Sequence, residues 1–184
     1  MKENQIDNPN EVVMTIDDEE EDLLVSQLNM DISNQFVVFS VEDEEYGVPI
    51  LSVQEIISLP NLTRIPGVPE YIPGIINLRG NIIPLYELRS KFKLETRELG
   101  DNTIVIIAQT GSESKRTVGF IVDTVSDVVS ITPENLSEKP EFSKAVDARY
   151  IEKIGKIGNR MIIIINLTDF FSESEQAVLD TAVI

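Results

Sequence analysis

From Gln35 onward the chain keeps one texture: short runs of β-branched, aromatic and alternating apolar residues, separated by Gly, Asn, Pro and acidic punctuation. Phe36-Val-Val-Phe-Ser-Val41 has the composition of a strand. Residues 42–45 are a polar turn, 46–50 resume the strand, and 53–59 supply the next one. Residues 75–78 and 82–85 flank Arg79-Gly80-Asn81, which predicts a hairpin because Gly-Asn tolerates positive φ. A short helix is predicted over 87–92. Later strands follow at 103–109, 117–123, 126–131, 154–157 and 161–166, with a second hairpin turn at Gly158-Asn159. Many short strands with regular turn signals predict an all-β barrel or sandwich with few, short helices.

The segment 46–59 aligns without gaps on 118–131. Gly47 matches Gly119, Val53 matches Val125, Glu55 matches Asp127, and Ile56-Ile57 match Val128-Val129. A Tyr-Ile step follows each copy, Tyr71-Ile72 ahead of Gly80-Asn81 and Tyr150-Ile151 ahead of Gly158-Asn159. Two matching blocks in the same order point to duplication, and so to two similar β subdomains with a seam between them.

Charge divides the chain differently. Residues 1–34 hold ten acids against a single base, Lys2, and 17–22 are an unbroken acidic block. Such a block repels itself and buries nothing, so 1–34 is expected to be a disordered, solvated tail or a binding arm. Leu23, Leu24, Val25 and Leu28 could form a short helical turn within it. The formal net charge of −17 argues against nucleic acid and against an anionic membrane surface. Without Cys or His there is no disulfide, thiolate or imidazole chemistry. No apolar run approaches the ~20 residues that span a bilayer, and no secretory signal opens the chain, so a cytoplasmic location is expected.

Candidate chemistry is sparse. Asp123-Thr124 has no second Asp to make a protease dyad, because Leu51 stands at the repeat-equivalent position. The acidic block lacks the glycine of a calcium loop, and 111–115 reads as a polar hairpin tip. No cofactor and no metal site are expected. Arg79 stands apart as a long cation on a tight turn in an apolar stretch. It is either a solvated turn residue or a guanidinium placed to grip a carboxylate, with Glu55 the candidate internal partner. Ile157 stands before Gly158 in the second hairpin, so the duplicated fold does not itself demand an arginine there.

Asn77-Leu-Arg-Gly80 with Ile82-Ile-Pro-Leu-Tyr-Glu-Leu-Arg89, Glu44-Glu-Tyr-Gly47 with Val53-Gln-Glu-Ile56, and Val122-Asp-Thr-Val-Ser-Asp-Val128 together resemble the CheW family of bacterial chemotaxis coupling proteins, in order, from about Gln35 to Phe171. The resemblance implies a 35–171 domain of two SH3-like five-stranded β-barrels side by side, with 172–184 a separate C-terminal segment. It implies a non-enzymatic adaptor that binds the regulatory domain of the histidine kinase CheA and the cytoplasmic tip of methyl-accepting chemoreceptors. Through those partners it would sit at membrane receptor arrays. It further implies receptor-linked roles for Val53, Glu55, Gly74, Arg79, Gly119, Val125 and Val128, and a kinase contact at Phe142. The alternatives are a CheW-like scaffold of a pilus or biofilm pathway and, from another class, a carboxylate-only hydrolase such as a two-carboxylate glycosidase.

Overall fold

The computed structural model describes residues 18–111, 115–139 and 148–170, together with Glu175 and Ala177. Among these residues eleven strands form two curled antiparallel-rich sheets: β1 Gln35–Val41, β2 Glu44–Pro49, β3 Val53–Ser58, β4 Gly74–Leu78, β5 Asn81–Glu87, β6 Ile104–Thr110, β7 Arg116–Val122, β8 Thr124–Ser130, β9 Leu136–Glu138, β10 Ile151–Ile157 and β11 Arg160–Ile165. One sheet runs β8-β1-β2-β11-β10-β9, the other β3-β6-β7-β5-β4. The first has six strands where five were expected. The extra one, β9, is three residues long and carries too little periodicity to be read from sequence. Its place in the second sheet is taken by a single bridge, Thr63 to Ile75.

The two sheets are built alike. β2 pairs parallel with β11 as β7 pairs with β5, and each central strand, β1 or β6, joins an edge strand to that pair. The Tyr-Ile steps occupy matching places, since Glu87 N–H donates to the Tyr71 carbonyl at 2.8 Å and Asn166 N–H to the Tyr150 carbonyl at 2.9 Å. The duplicated halves, however, are not the two barrels. β1 and β2 join β8–β11, while β3–β5 join β6 and β7. The repeated segment is therefore the crossing itself: β2 leads into β3, and β7 into β8, each time from one sheet to the other.

β1 and β6 are near-continuous apolar runs because both of their faces are covered. Phe36 and Val38 point into one barrel with Ile131, Ile162 and Ile164. Val105 and Ile107 point into the other with Ile76, Ile83 and Leu85. The alternate residues, Val37, Phe39, Ile106 and Ala108 among them, meet in the largest cluster, which fills the seam between the sheets. Two short helices, α2 Leu88–Lys91 and α3 Leu167–Phe170, follow β5 and β11. At α2 the buried Lys91 ammonium lies 4.6 Å from the ring centres of Tyr71 and Phe170 and 5.0 Å from that of Tyr150, and pairs with Glu175 at 3.2 Å. Cation–π attraction and the ion pair together offset the desolvation of this cation.

The helix α1 Asp18–Ser33 replaces part of the tail expected to be disordered. Its glutamates and leucines are good helix formers, and acids at its amino-terminal end complement the helix dipole. Leu23, Leu24, Val25, Leu28 and Ile32 stay outside the core, with Leu23 61% and Leu28 59% exposed. Beyond the adjoining β1 it approaches the 3-10 turn Ile50–Ser52.

Candidate functional site

The β4–β5 hairpin turns at Arg79 and Gly80, both with positive φ, 51° and 86°. The expected positive φ at Asn81 is not found; Asn81 already pairs with Leu78 as the first residue of β5. Gly80 N–H donates to Asn77 Oδ1 at 2.9 Å and pins the turn. That geometry throws the Arg79 side chain across the barrel end onto β3, where Nη1 and Nη2 donate to the two Glu55 oxygens at 2.6 and 2.9 Å. The anticipated pairing forms, and it is bidentate. Arg79 remains 72% exposed in its side chain and Glu55 28%. The Arg79 hydrogen bonds hold the Glu55 carboxyl below its ordinary range. Ile56, beside Glu55, and Ile82, on β5, leave large apolar side chains 46% and 54% exposed.

A second clamp stands on the other barrel, and the sequence reading missed it. Arg160 opens β11, paired with Ile157 across the turn, which makes it the counterpart of Asn81. Its Nη1 and Nη2 donate to Asp127 at 3.0 and 3.1 Å, and its Nε and Nη2 to Glu45 at 3.1 and 2.6 Å. Asp127 is the repeat partner of Glu55, so the two edge strands β3 and β8 each present an acid gripped by an arginine from the neighbouring hairpin. The guanidinium has moved two positions along the hairpin, which hides the correspondence from residue-by-residue alignment. Val128 and Met161 repeat the exposed pair, at 52% and 65%.

Both edge strands carry a β-bulge at the same repeat position, with Gln54 extra in β3 and Ser126 in β8. A bulge re-aims the side chains after it. Val53 and Val125, ahead of the bulges, pack on the seam cluster, whereas Ile57 packs inside its barrel. Gly74 and Gly119 lie deeper. They flank Leu85 on adjacent strands. A Cβ at Gly119 would run into the Leu85 side chain, and one at Gly74 into the Thr63 carbonyl oxygen. Of the residues singled out from sequence, then, Glu55 and Arg79 touch, Gly74 and Gly119 bracket one core leucine, Val53 and Val125 share the seam, and Val128 faces solvent. Phe142 lies outside the described residues.

Asp123 is locked rather than poised. Arg89 Nε and Nη2 donate to its two oxygens at 2.8 and 2.7 Å, the Glu42 N–H donates at 2.7 Å, and Arg97 stands 3.7 Å away. Burial pushes its carboxyl up, and these donors outweigh burial and bring it below its ordinary value. Among the described residues no three acids converge closely enough to hold a metal ion, and no helix is long and apolar enough to cross a membrane.

The family model for the CheW-like domain matches residues 35–175. A chemotaxis protein CheW of Klebsiella aerogenes is 39% identical over 149 residues, covering 81% of this chain and 88% of that one. One of Bacillus subtilis is 36% identical over 151 residues, covering 80% and 94%. The crystal structure of the scaffolding protein TtCheW from Thermoanaerobacter tengcongensis superposes with a TM-score of 0.70 at 35% identity, covering 78% of this chain and 95% of that one. With a family model spanning all eleven strands, and relatives more than a third identical along most of both chains, the protein belongs to the CheW family.

Proposed function

We propose that the chain is a non-catalytic adaptor that couples the cytoplasmic tip of methyl-accepting chemoreceptors to the regulatory domain of the CheA kinase. It works in the cytoplasm and reaches membrane arrays through these partners. The observation that carries this reading is the bidentate Arg79–Glu55 clamp at the tip of a hairpin, with the Arg79 side chain 72% exposed. Such a pair is open to exchange hydrogen bonds with an incoming helix. Docking strips water from both charges and makes a mispaired partner costly, which favours specificity over raw affinity. Ile56 and Ile82 offer apolar area to the same helix-in-groove contact. Val128 adds exposed apolar area on the other barrel, Val53 and Val125 act from the seam beneath, and Gly119 and Gly74 act indirectly, the one by making room for Leu85 and the other for the Thr63 carbonyl. Phe142 belongs to the kinase contact.

The test is a titration of a receptor-tip fragment against wild type, Arg79→Ala and Glu55→Lys. Both folded variants are expected to lose receptor binding, and wild-type binding to weaken as salt rises. Wild-type affinity in both variants would overturn the reading.

A further inference from the structure

Away from the clamps, a half-open cleft of about 380 Å³ lies between the end of β5, the connection from Arg97 to Thr103, and the end of β7. Leu99, Ile121 and Val122 give it apolar wall, while Glu87, Glu98 and Asp101 bring acids to it. Its two arginines are already committed, because Arg89 and Arg97 both turn to Asp123.

Glu87 is the unusual member. It is 8% exposed, yet among the described residues its carboxylate makes no hydrogen bond and no ion pair. It stands at the N-cap position of α2 without capping it. Asn166, its counterpart before α3, does cap, accepting from the Thr168 and Asp169 N–H groups at 2.9 and 3.3 Å. Among the described residues no buried side-chain oxygen lacks a hydrogen-bond partner, so the Glu87 carboxylate, which lines the cleft, keeps its contact with solvent there. Desolvation pushes its carboxyl up, with Arg89 working against this and Asp123 adding to it.

From this geometry we infer that the cleft receives an organic cation, a guanidinium on an apolar stem, whose charged head meets Glu87 while the stem lies on Leu99, Ile121 and Val122. Glu98 and Asp101 at the mouth favour entry of positive charge. A metal ion fits poorly, since among the described residues no three acids converge. A planar guanidinium can instead donate hydrogen bonds to one carboxylate and leave the others to act at a distance.

The cation is either a free small molecule or an arginine side chain of a partner, and the two are separable. The full chain, labelled with ¹⁵N, is titrated with n-butylguanidinium, with its neutral isostere n-butylurea, and with a blocked tripeptide carrying a central arginine. Saturable shifts at Gly100, Asp101, Asn102 and Thr103 are expected with a cationic probe and not with butylurea. Butylguanidinium alone points to a free cation, and binding of the tripeptide to a partner's arginine. Glu87→Gln keeps the shape and is expected to fold, and binding should weaken by about tenfold or more, the loss of a charge-assisted contact. Asp101→Asn, at the exposed mouth, should weaken it less. Equal shifts with butylurea, wild-type affinity in folded Glu87→Gln, or no saturable shift with either cation would overturn the inference.

Discussion

Arg79 holds a left-handed backbone conformation, which glycine adopts freely and a β-branched residue resists. Its substitutions therefore separate shape from contact. Arg79→Gly is expected to melt no lower than wild type, and Arg79→Val to melt lower, while both lose receptor binding; thermal melts run beside the binding titration check this. The buried pair behaves differently. Asp123→Ala leaves Arg89 buried without its anion and is expected to cost about 3–5 kcal/mol, measured by urea unfolding. Because the folded Asp123 carboxyl lies below its unfolded value of 3.8, its stabilisation is complete above that value and is lost as pH falls through the lower folded one. An Asp123→Asn variant should accordingly show a shallower loss of stability below about pH 4 than wild type, in melts across a pH series. The Arg79–Glu55 pairing was legible in sequence because a cation on a tight apolar turn is conspicuous. Arg160 was not, since nothing local distinguishes it from a solvated arginine beside a turn.

Among the elements, the edge strands and α1 set the behaviour of the surface. The bulges at Gln54 and Ser126 let one short strand serve two environments, the seam before the bulge and the barrel rim after it. Period-two alternation fails at such a point, so the sequence pattern locates β3 and β8 without revealing which face each residue takes. The acids that dominate α1 make its composition that of a tail, and Leu23, Leu24, Val25, Leu28 and Ile32 lie outside the core. Removing residues 1–33 while keeping Asn34, whose carbonyl accepts from Ile131 N–H at 2.9 Å, should lower Tm by less than about 4 °C, the shift that about 1 kcal/mol produces in a domain of this size. A larger drop in calorimetry would show that α1 contributes to the fold.

At the scale of the molecule, the exchange of strands between halves joins the two barrels into one folding unit. Each sheet takes strands from both copies of the repeat, and the seam cluster draws Phe39 and Tyr46 from one copy and Phe120 and Phe170 from the other. Neither half of a chain cut in the 95–102 connection can complete a sheet. Each fragment alone is expected to give the poorly dispersed NMR spectrum of an unfolded chain, and the two together to recover native dispersion. Independent folding of either fragment would refute the exchange.

The strands other than β9, the hairpins, the duplication and the family blocks were determined by the sequence, because each is written locally in periodicity, turn chemistry or residue identity. The pairing of β3 with β6 and of β8 with β1, the second clamp at Arg160, the aromatic enclosure of Lys91 and the place of Glu87 in the cleft were decided only by the tertiary structure. These depend on contacts between residues tens of positions apart. There the free energy comes from burial and charge pairing among groups that no local pattern brings together.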